Sequence, residues 1–122
     1  MGGSSWQVVS QPSATMWRAL NDIGAYPRML PNTASAREVE ADEGEHVVEL
    51  RHEVGFVHAR YFLRMRFDDA RRDVSFRLDP QRDNDLRSAW GFLSVDDFEE
   101  DPSRSLISFG VMAEPGLSLI HI

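Results

Sequence analysis

The chain has 122 residues, enough for one domain with a single core and one ligand cavity, and its 42% apolar and 27% charged content belongs to a globular rather than a disordered chain. A formal net charge of −7 makes nucleic-acid phosphates and anionic lipid surfaces poor partners, so no nucleic acid is expected; the absence of cysteine excludes disulfides and thiolate chemistry and fits a cytoplasmic protein. No apolar run approaches the roughly 20 residues of a membrane span, and the polar opening Met1-Gly2-Gly3-Ser4-Ser5 does not resemble an export signal.

In chain order, residues 6–10 read as a short strand, broken by Gln11-Pro12-Ser13, with Ser13 placed as a helix N-cap. Met16, Trp17, Leu20 and Ile23 recur at helical spacing, which predicts an amphipathic helix over 14–23, ended by Gly24. A second short turn of helix over 26–30 is closed by Pro31. From Thr33 the pattern changes to strands and turns. Residues 36–41 lead through Asp42-Glu43-Gly44-Glu45 into a strand over 46–54, and Gly55 makes the next turn.

The alternation is clearest over 57–67. Val57, Ala59, Tyr61, Leu63, Met65 and Phe67 fall on one face, while His58, Arg60, Arg64 and Arg66 fall on the other, with Phe62 as an exception. Val74, Phe76 and Leu78 continue the period, and residues 80–85 form a polar loop. Strands over 86–98 and 105–111 flank the acidic hairpin Glu99-Glu100-Asp101-Pro102. A strand, a helix pair and then a meander of strands imply an α+β layer fold rather than repeated β-α-β units.

The stretch from Ser10 to Asn32, SQPSATMWRALNDIGAYPRMLPN, resembles the opening of START-like proteins, the SRPBCC superfamily that includes polyketide cyclase/dehydrase-like and coenzyme Q-binding-like members. DNDLRSAWGFLSVDDF, from Asp83 to Phe98, resembles that family's penultimate strand, where a glycine sits beside aromatics, and SLISFGV resembles its last strand. The resemblance runs to about Pro115. It implies a helix-grip (START-like) fold: a curved antiparallel sheet of about six to seven strands, a short N-terminal helix pair, and an apolar cavity closed by a long C-terminal helix. After Ala113-Glu114-Pro115-Gly116 only six residues remain, too few for that helix, so it is expected to be missing. Residues 1–116 are then an incomplete START-like ligand-binding domain. The closing hexapeptide 117–122 equals the in-frame translation of CTG TCT CTT ATA CAC ATC, a transposon end used in sequencing libraries, and is treated as a non-native assembly scar.

One apolar sheet face carries the candidate site. Val48, Leu50, His52 and Val54 alternate on one strand, Val57, Ala59, Tyr61, Leu63 and Met65 on the next, and Phe76, Ile107 and Phe109 extend the surface. These twelve residues are the expected cavity lining for a hydrophobic small molecule, with His52 and Tyr61 as the polar groups that orient it. His52 could donate to a ligand carbonyl or act as a base, and a cyclase or aromatase on the same scaffold would use His52 or Tyr61 for proton transfer. Core packing is the plainer reading of each residue taken singly.

No cofactor or metal is expected. His46 and His52 are roughly 20 Å apart along one strand, and His58 faces the other way. DPQRDNDLRSAW lacks the Gly at its sixth place and the Glu at its twelfth that a calcium loop needs. Arg60, Arg64 and Arg66, joined by Arg77, make a basic row fit for RNA or a ribosome, but Glu49 and Glu53 on the neighbouring strand explain it by cross-strand pairing.

Overall fold

A strand opens the chain, β1 (Gly2–Val9), followed by helix α1 (Ser13–Asn21), a 3₁₀ turn at Ile23–Ala25 and the one-turn helix α2 (Tyr26–Met29). Six strands follow: β2 (Thr33–Asp42), β3 (Glu45–Val54), β4 (Val57–Asp68), β5 (Asp73–Leu78), β6 (Leu86–Asp97) and β7 (Ser105–Pro115). The computed structural model describes residues 2–116, so the terminal hexapeptide and the scar reading of it lie outside the described residues.

The strands form one antiparallel sheet in the order β1-β7-β6-β5-β4-β3-β2. From β2 to β7 every spatial neighbour is also a sequence neighbour, so hairpins build the sheet. The turns carry the expected chemistry: Glu43 (φ 49°) and Gly44 (φ 81°) both lie at positive φ in the β2–β3 hairpin, and Gly55 (φ 63°) opens the two-residue β3–β4 turn. β1 and β2, consecutive in sequence, are opposite edges. The helical segment between them therefore crosses the full width of one face, and that face becomes the inside of the curve.

Curvature has identifiable causes. Register shifts interrupt β2 between Thr33 and Ser35 and between Glu38 and Glu40, and β6 between Leu86 and Ser88. In β6, Gly91 lets the strands close up: a Cβ there would meet the Gly110 carbonyl oxygen at 2.2 Å and the Phe76 ring at 2.6 Å.

Val48, Leu50, Leu63, Met65, Val74, Val95 and Ile107 on the inner face pack with Trp17 and Tyr26 as the core. Trp17 meets Phe67 edge-on at 6.1 Å and donates its indole N–H to Asp69 at 2.9 Å.

Several local expectations are corrected. Ser13 is the first helical residue, not the cap; Pro12 holds the N-cap position and no side chain caps the helix. Ser13 is instead buried, donating its hydroxyl to Asp97 and accepting from Arg72 at 2.6 Å, which ties the helix to the far ends of β5 and β6. α1 stops at Asn21, where the Asp22 N–H turns back to the Ala19 carbonyl at 3.1 Å. β1 begins at Gly2 rather than Trp6 because β7 runs on to Pro115 and offers backbone partners to Gly-Gly-Ser-Ser, whose side chains alone give no strand signal.

The outer face explains Phe62. It is 8% exposed, with the guanidinium carbons of Arg60 and Arg82 at 5.6 and 5.5 Å from its ring centroid. Beside it Glu49, 5% exposed, receives Arg37 at 3.3 Å and Arg51 and Arg60 at 3.8 Å. Glu45 gathers Arg64, Arg66 and Arg77. The outer face is thus an arginine lattice seated on part-buried and buried carboxylates.

Candidate functional site

β3 and β4 run antiparallel with Leu50 opposite Tyr61 and His52 opposite Ala59, so His52 and Tyr61 are diagonal neighbours on the inner face. Their rings stack at 5.4 Å with planes 20° apart, and His52 Nε2 lies 2.7 Å from Tyr61 Oη. The other side of the imidazole is held by the entry to β2. Thr33, opposite His52 in the β2–β3 ladder, places Oγ1 3.4 Å from Nδ1. Asn32 takes a left-handed conformation (φ 60°), and its carbonyl accepts from the Glu53 N–H at 3.0 Å.

Burial lowers the His52 pKa below the ordinary histidine value, with the Asn32 carbonyl opposing the shift; burial raises Tyr61 to about 12. At neutral pH the pair is a neutral imidazole and a protonated phenol.

The twelve predicted lining residues share this face but divide by burial. Val48, Leu50, Leu63, Met65 and Ile107 belong to the core with Trp17 and Tyr26. His52, Ala59, Tyr61 and Phe76 are half-buried, and Val54, Val57 and Phe109 are exposed.

Two of the depressions on the described residues lie away from the pair. One of about 520 Å³ lies between the 3₁₀ turn and β2–β4, lined by Ile23, Ala36, Glu38, His46 and Phe67 among others; the other, about 470 Å³, lies over Phe109, Val111 and Ala113 beside the start of β1. His46 bonds Glu38 through Nδ1 and meets Phe67 edge-on at 5.4 Å, at the opposite end of β3 from His52. His58 lies on the outer face, 3.4 Å from Glu53. The three histidines do not converge, and among the described residues no His, Cys, Asp or Glu group is placed to hold a metal.

Sequence reasoning missed Asn32 and Thr33. The Pro31-Asn32 pair signals a turn, but nothing in it indicates that Thr33 just after it would meet a histidine of the next strand.

The profile of the family described as Polyketide cyclase / dehydrase and lipid transport matches residues 9–119. The chain belongs to that family. None of the curated proteins is similar enough in sequence to match. Solved structures with the same fold include a Thermus thermophilus protein (TM-score 0.82, 12% identity, 98% of this chain and 78% of that one). The Zhui aromatase/cyclase from Streptomyces gives 0.75, at 20% identity over 97% of this chain and 71% of that one. A START superfamily protein from Mycobacterium smegmatis gives 0.77, at 15% identity over 95% of this chain and 78% of that one. In this polyketide cyclase/dehydrase and lipid transport member, the curved seven-stranded sheet and short helices match the helix-grip architecture that the sequence resemblance implied. Among the described residues no helix is long and apolar enough to cross a membrane.

Proposed function

We propose that this chain binds one hydrophobic small molecule, a lipid, quinone or polyketide-like aromatic, on the inner face of the sheet, with His52 and Tyr61 at its polar end. One observation carries the reading. The accessible part of that face offers Val54, Val57, Phe109 and Val111 as exposed apolar groups, and its half-buried polar pair is bonded within itself. A guest burying about 300 Å² of apolar surface gains roughly 7 kcal/mol before ordering costs are subtracted. The family description, lipid transport together with polyketide cyclisation, favours guests of this class.

Solvent extraction of the purified chain followed by mass spectrometry tests it. An apolar molecule is expected to copurify and to be lost when Val111 and Phe109 are both replaced by Asp. An empty protein that also fails to take up apolar fluorescent probes would count against the reading.

A second reading, a cyclase or aromatase on the same scaffold, draws support from the 2.7 Å contact between a neutral imidazole and a phenol, a geometry suited to moving a proton. His52→Ala and Tyr61→Phe variants that bind normally, in a chain with no turnover on any polyketone, would eliminate it. An RNA or ribosome surface on the arginine row has no observation in its favour, since Arg60, Arg64, Arg66 and Arg77 are all ion-paired within the chain.

A further inference from the structure

The hydrogen-bond chain through the site has a direction, and the direction dictates what kind of polar group a guest must bring. It starts at Thr33, whose Oγ1 directs its own proton to the Pro31 carbonyl at 3.4 Å and so meets Nδ1, also at 3.4 Å, as an acceptor. Nδ1 therefore holds the hydrogen of the neutral imidazole, and Nε2 is left with a lone pair. The atom 2.7 Å from that lone pair is Tyr61 Oη, which must donate. His52 is the only hydrogen-bond partner of Tyr61 Oη among the described residues, so the phenol's single proton is committed and its remaining capacity is acceptance alone. His52 itself has nothing left to offer a guest: one nitrogen is donating and the other accepting.

We infer that the site selects guests whose polar end is a hydroxyl donor, an alcohol, phenol or enol, over guests of equal size ending in a carbonyl or ether oxygen. The inference rests on the proposed binding function and specifies its ligand class. A guest hydroxyl would complete a relay from hydroxyl to Tyr61 to His52 to Thr33 to the Pro31 carbonyl, with every proton placed. A ketone would set two acceptor oxygens against each other unless the phenol gave up its bond to His52.

Three probes of like size test this at neutral pH: 2-naphthol, 2-methoxynaphthalene and 2-acetonaphthone, each titrated calorimetrically into the 122-residue chain. One neutral hydrogen bond corresponds to roughly a 3- to 10-fold preference, so 2-naphthol is expected to bind that much more tightly than either of the others. Tyr61→Phe should bring 2-naphthol down to the level of 2-methoxynaphthalene. His52→Leu releases the Tyr61 proton, and the preference should move toward 2-acetonaphthone, a reversal that loss of structure cannot imitate. Equal affinities for the three probes in the unaltered chain, or tighter binding of the ketone, overturn the donor rule while leaving the binding function standing. Failure of all three probes to bind removes the binding function and the rule together.

Discussion

At Ser105 the hydroxyl is fully buried between β1 and β6 and finds no hydrogen-bond partner among the described residues; Asp79 Oδ2 shares that condition. The two differ in what surrounds them. Ser105 sits among backbone ladders, and its hydroxyl lost water without replacement. Ser105→Ala is therefore expected to leave stability unchanged or raise it by up to about 1 kcal/mol, read from urea unfolding. Asp79 is 1% exposed but ionically engaged, with Arg64 at 3.4 Å, Arg82 at 3.6 Å and the Gln81 N–H at 3.1 Å. Asp79→Ala should cost about 3 kcal/mol in the same assay, because the two guanidiniums lose the buried charge they enclose. Neither residue stands out in the sequence. Asp79 heads a polar run that reads as an exposed loop, and its burial depends on Phe62 and Arg64 of β4 together with Arg82 of its own loop. The same limit applies to His52: its face was legible from alternation, its protonation pattern was not.

Among the elements, the hairpin-rich half of the chain was the legible part. Strict alternation in β4 fixed which side chains point inward, and the β3–β4 register followed from a glycine turn. Ends were less readable. β1 exists over Gly2–Ser5 only because β7 lies alongside, and α1 yields two residues to a tighter turn. Gly91 marks where an element-level choice shapes the site, since its missing side chain lets the Phe76 ring lie across β6. Gly91→Ala is expected to cost about 2 kcal/mol, because the added methyl meets a backbone oxygen that cannot turn aside. Thermal unfolding followed by circular dichroism checks it; an unchanged midpoint would mean the strands separate freely there.

For the molecule as a whole, apolar groups remain open on the inner face, at Val54, Phe109 and Val111, and on the outer face, at Trp6, Trp90, Phe92 and Met112. The chain is expected to self-associate as concentration rises, and sedimentation velocity showing a monomer throughout would contradict this. Its pH dependence has two arms. Tyr26 and Tyr61 are both raised to about 12, so the unfolded chain releases these protons from about pH 10 while the folded one holds them. Stability then falls as pH rises from 10 to 12, by about 2–3 kcal/mol for Tyr26, and Tyr26→Phe should flatten that slope. His52 is shifted the other way. Below about pH 6.5 the unfolded chain takes up a proton that the folded imidazole resists, so stability falls on acidification until the native ring also titrates. His52→Leu should remove that component in denaturant titrations run across the acid range.

The lattice on the outer face has a consequence for how such measurements read out. Every one of the 13 basic residues is arginine; the chain contains no lysine and no cysteine, and just two tyrosines. Guanidinium stays cationic far into alkali, so that lattice contributes no proton of its own there. Between the release of the terminal amine and the onset of hydroxide damage, the only side chains able to change colour or charge are those phenols. An ultraviolet phenolate titration of this chain is thus a two-reporter experiment, one probe in the helical segment and one on the inner face of the sheet, over a tryptophan absorbance that does not itself titrate.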